Sequence, residues 1–475
     1  MKRTTKKQRL ITYLSLIPLI LLITSTKSDY SPCIYNKPHI TLGSLFSNYT
    51  LRNITSEIPA NETLFTISLT TAGDCSKSPP VLQIMTKTST TLQNPNKTSN
   101  YVLKWSDPDV NYNRTAHFFY IQLSMFTSID LAANALTWNI IQADTKLFFD
   151  IPFPQRAVKV IDSVFTNGSL YRSNRTRIAV VANLDISAQS QKTIQSLIEY
   201  VDQSEFDIYL HNGNFACDIF DSDGQVGDSF FNQLFPITSR VPFMITGGPD
   251  DYLDSGAILD YRFQMPGTNI STIRRNAWYS ATYNNVHIIV MNFDNFFNYF
   301  PQNADAAFTW LKRDLEAIAN YSEKAKARNM DIKWKLFFSS RPFYCKADQT
   351  HGDCGRNFMT FRRFEALLLK HKVRMIVSGH LFAYTRSYPT RNWISSSLSK
   401  NTSSPVFIVN GLGGNRRWDP SSHNESDYLA NFVDKVRKNK FILRRVESHY
   451  GRISLSLNFL SFFSPPFLFC LFKFF

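Results

Sequence analysis

The sequence of 475 residues predicts two domains of different fold class, an all-β domain followed by an α/β domain. In the first third of the chain, polar and apolar residues alternate in short runs such as residues 64–69 and 117–123, which is typical of half-buried strands. Later, apolar runs alternate with stretches whose apolar residues recur at helical spacing. This second pattern indicates sheets that are covered by helices.

A polar, turn-rich segment over residues 166–176 separates the two patterns. We therefore place an N-terminal all-β, sandwich-like domain at residues 29–170 and the α/β domain at residues 175–458. Residues 459–475 form a Phe-rich tail with a single charged residue. The tail is short for a membrane-spanning helix, which needs about 20 apolar residues, so its role, including membrane association, stays open.

Two helices of the α/β domain can be placed from their apolar faces. The first covers residues 304–321. Its apolar face consists of Phe308, Leu311, Leu315 and Ile318. The second lies near residues 361–371 and leads into a strand over residues 373–377, which ends just before His380. Open α/β sheets bind ligands at such strand ends, so His380 is a candidate site residue.

The first 28 residues have the composition of a secretory signal peptide. Basic residues precede an apolar run from Leu10 to Ile23, and small or polar residues follow as far as Ser28. The run is shorter than a spanning helix, so an uncleaved anchor is the second interpretation. We expect a secreted or lumenal protein, with membrane anchoring as the alternative.

Sequons and cysteines agree with export. Asn-x-Ser/Thr sequons predict N-linked glycans as partners. They begin at Asn48, Asn53, Asn61, Asn96, Asn113, Asn167, Asn174, Asn269, Asn320, Asn401 and Asn424. The chain has six cysteines, and disulfides persist in oxidising compartments. The sequence alone leaves the pairing open, with Cys345 and Cys354, and Cys33 and Cys75, as the candidate pairs.

The charge of the chain is strongly basic, with a formal net charge of +15. The densest run of cations lies between Lys435 and Arg445. Such a run favours anionic surfaces, membranes or glycans, although it is more often a solvated face. The sequence contains no nucleic-acid-binding motif, and export also argues against nucleic acid as a partner.

Six short blocks at the ends of apolar runs are the most specific motifs. They read RIAVVANLD at 177–185, DIYLHNGNFACD at 207–218, PFMITGGPD at 242–250, LFFSSRPFYC at 336–345, SGHLFAYTR at 378–386 and PVFIVNGLGGN at 405–415. In order and in flanking residues they resemble the blocks of purple acid phosphatases, which are calcineurin-like metallophosphoesterases. The resemblance implies a layered α/β/β/α sandwich, and the larger members of that family carry a β-sandwich before it.

The resemblance also implies roles for individual positions. The family holds two metals, iron with zinc, manganese or iron, and of its ligands only His380 is unchanged here. The replaced positions are Asn183 and Asn214 for two aspartates, Cys217 for a tyrosine, Pro249 for an asparagine, and Ser340 and Phe382 for two histidines. Asp250 stands where the family has a histidine proton donor, so it is the candidate catalytic residue. The positions of Arg341, Tyr384 and Arg386 are family-like and suggest contacts to a phosphorylated ligand.

These replacements remove most of the negative charge that a two-metal site needs. Two cations about 3.5 to 4 Å apart repel each other, and anionic ligands must offset that repulsion. The amides of Asn183 and Asn214 are neutral and bind hard metals weakly. We expect no metal, or one weakly bound divalent metal, and hence a catalytically weak or inactive pseudoenzyme, because the family's nucleophile is a metal-bound hydroxide.

Two alternative functions stay open. In the first, Asp185 and Asp250 join Asn214 and His380 in a reduced site for one hard cation, and the chain is an active phosphoesterase that hydrolyses phosphate monoesters. The competing interpretation is that Asp185 and Asp250 cap nearby helices or are solvated. In the second alternative, the N-terminal β domain is a binding module for a glycan or protein, and the α/β domain supports it.

Overall fold

We analysed a computed structural model of the chain. It describes residues 34–42, 63–72, 79–86, 89–103, 112–122, 125, 136–142, 145–147, 150–154, 176–216, 219–222, 224–251, 257–267, 276–326, 332–344, 358–382, 384–387, 389–391, 394–395, 404–414, 442–448, 451–460 and 467–474. Several predictions concern segments outside these ranges. They are the signal peptide, the cysteines Cys33, Cys75, Cys217, Cys345 and Cys354, and residues 435–440 of the basic run.

The N-terminal part contains two antiparallel sheets. The first is formed by β1 (Ile34–Tyr35), β2 (His39–Leu42), β3 (Thr63–Ala72), β6 (Lys97–Leu103) and β7 (Tyr112–Gln122), in the order β1-β3-β7-β6 with β2 also on β3. The second is formed by β4 (Val81–Met85), β5 (Thr90–Gln93), β8 (Thr137–Gln142), β9 (Thr145–Lys146) and β10 (Ile151–Pro152), in the order β10-β8-β4-β5 with β9 on β8. Phe65 of the first sheet and Trp138 of the second both contact the Phe153 ring, at 5.9 and 6.5 Å between centroids. The two sheets therefore share one apolar core.

Two six-stranded sheets form the centre of the α/β part. One contains β11 (Thr176–Val181), β12 (Ile208–Asn212), β13 (Phe243–Thr246), β22 (Ile442–Ser448), β23 (Gly451–Leu460) and β24 (Phe467–Phe474), in the order β13-β12-β11-β24-β23-β22. The other contains β14 (Trp278–Tyr283), β15 (Val286–Met291), β16 (Trp334–Ser339), β17 (Met375–Ser378), β18 (Tyr384–Arg386) and β21 (Val406–Asn410), in the order β14-β15-β16-β17-β21-β18. The short strands β19 (Thr390–Arg391) and β20 (Ile394–Ser395) pair separately.

Helices cover the outer faces of these sheets. They are α1 (Ala188–Asp202), α2 (Gln225–Thr238), α3 (Ala257–Arg262), a π-helix (Asn295–Tyr299), α4 (Asn303–Ala325) and α5 (Phe358–Lys370). The predicted apolar stripe forms the inner face of α4, where Leu311, Leu315 and Ile318 are fully buried. Among the described residues, no helix is both long and apolar enough to cross a membrane.

The two α/β sheets are joined by polar side chains as well as by apolar packing. The amide of Asn212 at the end of β12 donates to Val377 O in β17, at 3.1 Å. The amide of Asn410 at the end of β21 donates to Val180 O in β11, at 2.8 Å. These bonds align the carboxyl ends of strands from both sheets, because each bond joins one sheet to the other.

The Phe-rich tail has a place in this architecture. Strand β24 lies between β11 and β23 and is antiparallel to both, with Thr176 opposite Phe474 and Ile453 also opposite Phe474. The strand completes the sheet on the side of β11 that β12 does not occupy. The tail that the sequence left without a role is thus part of the sheet.

Strand β2 of the N-terminal part packs into the α/β part. The ring of His39 lies 5.6 to 5.8 Å from the rings of Phe231, Phe243 and Phe263, and its Nδ1 is 2.6 Å from Thr238 Oγ1. Complete burial, and secondly the charge of Arg262, lower the pKa of His39 to about 3. At His39, the interface between the two parts is therefore tightly packed.

A charged cluster lies in the same interface. Asp228 of α2 accepts a hydrogen bond from Arg114 of β7 at 3.0 Å and another from Arg262 of α3. Both arginine side chains are almost completely buried. Burial alone would raise the pKa of Asp228, but the charges of Arg262 and Arg114 outweigh burial and lower it. Asp228 is thus the ionised counter-charge for one arginine from each part of the chain.

The buried histidines predict a loss of stability in acid. Burial lowers the pKa of His117 to about 4 and that of His39 to about 3, whereas both groups titrate near pH 6.5 in an unfolded chain. Between these values only the unfolded chain takes up the protons, so the free energy of unfolding should fall as the pH drops below about 6.5.

Urea unfolding at several pH values tests this prediction. His39→Gln removes one titrating group, so the slope of unfolding free energy against pH should decrease by up to one proton. Equal slopes in the variant and the wild type would contradict the assignment of His39 as a buried neutral histidine.

Candidate functional site

The candidate site lies where strands from both α/β sheets end. Asn183 follows β11, Asn214 follows β12, and His380 follows β17. All three have left-handed backbones, with φ of 55°, 48° and 63°. Few residue types other than glycine adopt this conformation readily, and asparagine is one that does. Aspartate and histidine also adopt this conformation more readily than most residues, so the local backbone suits all three residues and does not itself explain asparagine where the family resemblance placed aspartate.

The loops of the site pack backbone against backbone. A Cβ on Gly379 would lie 2.1 Å from Asn212 O, and a Cβ on Gly411 would lie 1.7 Å from Leu381 O. Only glycine fits at these two positions without moving a neighbouring main chain. The glycines of the late blocks thus let the loops after β12, β17 and β21 approach one another.

Asn183 joins three strand ends through its side chain. Its Nδ2 donates to His380 O and to Gly411 O, both at 2.9 Å. The residue is fully buried, and its Oδ1 has no hydrogen-bond partner among the described residues. A carboxylate in the same position would place an anionic oxygen against two carbonyl oxygens. The Asn183 amide therefore donates two hydrogen bonds that an ionised aspartate could not donate in this arrangement.

The side chains of Asn214 and His380 are brought together. Asn214 Nδ2 lies 3.5 Å from His380 Nδ1, Asn214 is buried, and His380 is half-buried. Asn214 Oδ1 is buried and has no hydrogen-bond partner among the described residues. This pair is the polar part of the predicted ligand set that the structure brings together.

Asp185 fixes the start of helix α1. Its Oδ1 accepts hydrogen bonds from Ser187 N at 2.8 Å, from Ser190 Oγ at 2.7 Å and from Ser187 Oγ. Asp185 is also almost completely buried. These bonds form an Asx-type turn just before the N-cap residue Ser187, so they give the Asp185 carboxylate a structural role in the loop in place of the role of a metal ligand.

Asp250 and Asp251 are neighbours in the sequence, but they differ in burial. Asp250, the candidate catalytic residue, is half-buried in the turn after β13. Asp251 is fully buried, and its two oxygens accept hydrogen bonds from Phe215 N and Gly248 N, both at 2.7 Å. Burial raises the pKa of Asp251 well above its usual value, and the backbone bonds act in the opposite direction. Asp251 ties the loop after β12 to the loop after β13.

Arg341, a candidate phosphate contact, is part of an ion pair. Its Nε lies 2.5 Å from Asp294 Oδ1, and the Asp294 side chain is fully buried. Ser340, at the former histidine position, donates from Oγ to Asp294 Oδ2 at 3.0 Å. Arg386 is half-buried in β18, and the side chain of Tyr384 lies outside the described residues. The sequence blocks did not reveal Asp294, which lies between them.

Comparisons with known proteins agree with this architecture. No family model matches the chain. Acid phosphatase type 7 from Danio rerio is 25% identical over 299 residues, which is 57% of this chain and 65% of that protein. Acid phosphatase type 7 from Mus musculus is 28% identical over 253 residues, which is 50% of this chain and 54% of that protein. The chain thus spans about half to two thirds of the length of these relatives.

The solved structure of a purple acid phosphatase from yellow lupin (Lupinus luteus) seeds has the same fold. The TM-score is 0.56 with 16% identity, over 89% of this chain and 70% of that chain. The chain is purple acid phosphatase-like. The family resemblance and the α/β fold class that the sequence predicted are confirmed.

The residues of this purple acid phosphatase-like site do not fit the two-metal centre of the family. Within the described ranges, no group of three or more His, Cys, Asp or Glu side chains could hold a metal ion. The buried oxygens without partners belong to the neutral amides of Asn183 and Asn214. Asp185 accepts hydrogen bonds in the turn before α1, and Asp251 binds backbone amides. The charge that would balance two cations is therefore missing from the described part of the site.

We expect Asp251→Ala to lower the free energy of unfolding. The substitution leaves buried backbone N–H groups of Phe215 and Gly248 without an acceptor, which should cost about 2 to 4 kcal/mol. Urea unfolding monitored by circular dichroism measures the loss. Asp250→Ala is the matched control, because this neighbour is half-buried and should lose under about 1 kcal/mol. Equal losses in the two variants would contradict the role given to Asp251.

Proposed function

We propose that this chain is a purple acid phosphatase-like pseudoenzyme, whose former catalytic face supports binding of a ligand or protein partner and does not hydrolyse phosphate esters. The observation that carries the proposal is the orientation of Asn183, whose amide nitrogen faces two carbonyl oxygens. At the position of a family metal ligand, the chain thus has a hydrogen-bond donor. A donor group of this kind stabilises the loops of the site directly, without a cation between them.

The other polar groups of the site also serve the scaffold. Asp251 holds two loops together, and Asp294 pairs with Arg341. His380 and Arg386 are half-buried. A phosphorylated ligand or a protein surface is the class of partner that such a polar rim would contact.

A reduced metal site is the second candidate function. Asn214 Oδ1 is buried without a hydrogen-bond partner among the described residues, and the same side chain approaches His380 Nδ1 at 3.5 Å. These two side chains and Asp250 would be the ligands of one divalent metal, since Asp185 Oδ1 already accepts three hydrogen bonds. Three ligands with one carboxylate form a weak site for a hard cation.

A phosphatase assay separates the two functions. The purified chain is incubated with iron, zinc, manganese or magnesium and tested on p-nitrophenyl phosphate at acidic and neutral pH. We expect no turnover above that of the heat-denatured protein. Metal-dependent turnover that is lost in both His380→Ala and Asp250→Ala would establish the reduced site and overturn the pseudoenzyme.

We also propose that the chain enters the secretory pathway and carries N-linked glycans. The N-terminal leader composition and the sequons support this proposal. Asn96, which begins one of the sequons, is exposed, and its Oδ1 accepts a hydrogen bond from Tyr120 N at 2.7 Å. Digestion of the protein from an exporting host with peptide N-glycosidase should lower its apparent mass. An unchanged mass, together with retention inside the cell, would overturn the assignment.

A further inference from the structure

A cluster of basic residues lies at the opposite end of the α/β sheets from the candidate site. We call it the basic pole, and it consists of Lys333, Lys335, Lys370, His371, Lys372 and Arg374. These residues occupy the amino ends of β16 and β17 and the end of α5. Ser340 and His380 lie at the carboxyl ends of the same two strands. The two features are thus separated by the length of the strands.

The fold forces the like charges of the basic pole together. Arg374 N donates to Lys335 O at 3.4 Å, and Lys335 Nζ donates to His371 O at 2.9 Å. Lys335 is half-buried, and burial followed by the charges of Lys372 and Arg374 lowers its pKa. Because each of these cations repels the others, an anion at this pole would relieve a cost that the folded chain carries.

His371 lies in the middle of the basic pole. Its Nε2 is buried and has no hydrogen-bond partner among the described residues. Burial, and then the charges of Lys335 and Lys370, lower the pKa of His371, while the acidic Glu316 acts in the opposite direction. The exposed side chains of Lys370 and Lys372, on either side of His371 in the chain, are therefore the groups that an anion from solution would contact.

Lys372 has a backbone conformation that lysine rarely adopts. Its φ is +59°, in the turn where Lys372 N donates to Leu369 O and Val373 N donates to Leu368 O. Glycine and asparagine take this position after a helix at lower energetic cost. The turn therefore presents a cation at a position whose geometry favours an uncharged residue.

Cations near a helix C-terminus also have a simpler explanation, because they balance the helix dipole. That explanation accounts for Lys370 and for the bond from Lys335 to His371 O. It does not account for Lys333 and Arg374, which lie outside the helix. The basic pole therefore carries more positive charge than the end of α5 requires.

We propose that the basic pole binds the sulfate groups of a sulfated glycan chain. The cations converge on one helix turn and two strand ends, which suits one or two sulfate groups of a linear chain better than the plane of a membrane. Lysine and arginine donate charge-assisted hydrogen bonds to such oxygens. The choice of a glycan also rests on the export that we propose above, since such chains lie outside the cell.

Titration with a heparin-derived octasaccharide tests the proposal. Calorimetry on the full glycosylated chain should show binding that weakens as the salt concentration rises. Lys372→Asn removes one charge and suits the left-handed turn, so it should fold normally and weaken binding about fivefold. Lys370→Glu should weaken it further. Lys192→Gln on α1 removes a charge from the other sheet layer, so it is the matched control and should bind like the wild type.

The remaining outcomes overturn the proposal. They are an octasaccharide affinity that is undetectable at physiological salt, an equal loss of affinity in Lys192→Gln and Lys372→Asn, and binding to vesicles of anionic phospholipid without binding to the octasaccharide. The glycosidase digestion described above tests export independently of this titration. Binding of the octasaccharide by the purified protein does not depend on where the cell places it.

Discussion

Asn183→Asp is expected to destabilise the protein by about 3 to 5 kcal/mol, although it restores the residue that the family uses as a metal ligand. The wild-type amide donates to His380 O and Gly411 O in a fully buried position. A carboxylate there loses both hydrogen bonds and adds an unpaired negative charge next to two carbonyl oxygens. Urea unfolding in the presence and absence of zinc measures the effect.

Asn214→Asp is the matched control for this experiment. Among the described residues, the Asn214 side chain has a hydrogen-bond contact with His380 Nδ1 at 3.5 Å, and a carboxylate next to a histidine gains a charged partner when the ring is protonated. We therefore expect a smaller loss than in Asn183→Asp. If Asn183→Asp were as stable as the wild type and bound zinc tightly, the donor role of Asn183 would be wrong.

Asp228→Asn is expected to lower the free energy of unfolding by about 3 to 5 kcal/mol, as Asn183→Asp does. The substitution removes the counter-charge of Arg114 and Arg262, whose side chains are almost completely buried. Both arginines then lose a close negative partner at the interface between the N-terminal and α/β parts. The expected result is a lower urea midpoint, monitored by tryptophan fluorescence and by circular dichroism.

The exposed pair of Asp202 and Arg240 gives the control for Asp228. These side chains are 57% and 29% exposed, and an ion pair at the surface contributes about 0 to 1 kcal/mol. Asp202→Asn should therefore change the free energy of unfolding little. Arg114→Met added to Asp228→Asn should recover part of the lost stability, because it removes one of the two buried cations that Asp228 contacts. Equal effects of Asp202→Asn and Asp228→Asn would contradict the interface described here.

The interface also bears on the idea that the N-terminal part is a separate binding module. His39 is enclosed by three phenylalanine rings of the α/β part, and Tyr120 OH donates to Gln264 Oε1 at 2.7 Å. An isolated N-terminal fragment would expose these groups to water. Binding by this part is therefore best tested in the full chain.

Local patterns in the sequence were enough to predict much of the fold. The period of the apolar residues predicted α4, and the order of the blocks predicted strands that end at one site. The position of His380 at the end of β17 follows from the short run of apolar residues before it. These features depend on residues that are close together in the sequence.

The roles of the carboxylates could not be predicted in the same way. Asp251 binds backbone groups 36 and 3 residues away, and Asp294 binds a side chain 47 residues away. No local pattern encodes such partners. Strand β24 is a similar case, because the Phe-rich tail has its partner β11 at the start of the α/β domain. The role of Asn183 as a hydrogen-bond donor could not be predicted either, because the two carbonyl groups that it contacts are 197 and 228 residues away in the sequence.

Elemental mass spectrometry of the purified glycosylated protein, after incubation with iron, zinc, manganese and magnesium and removal of free metal, tests the central claim most directly. The account predicts a metal content far below one ion per chain, identical in the wild type and in His380→Ala. Two ions per chain would contradict it, because the amides of Asn183 and Asn214 would then hold a complete metal centre. One ion per chain that is lost in His380→Ala would establish the reduced site in its place.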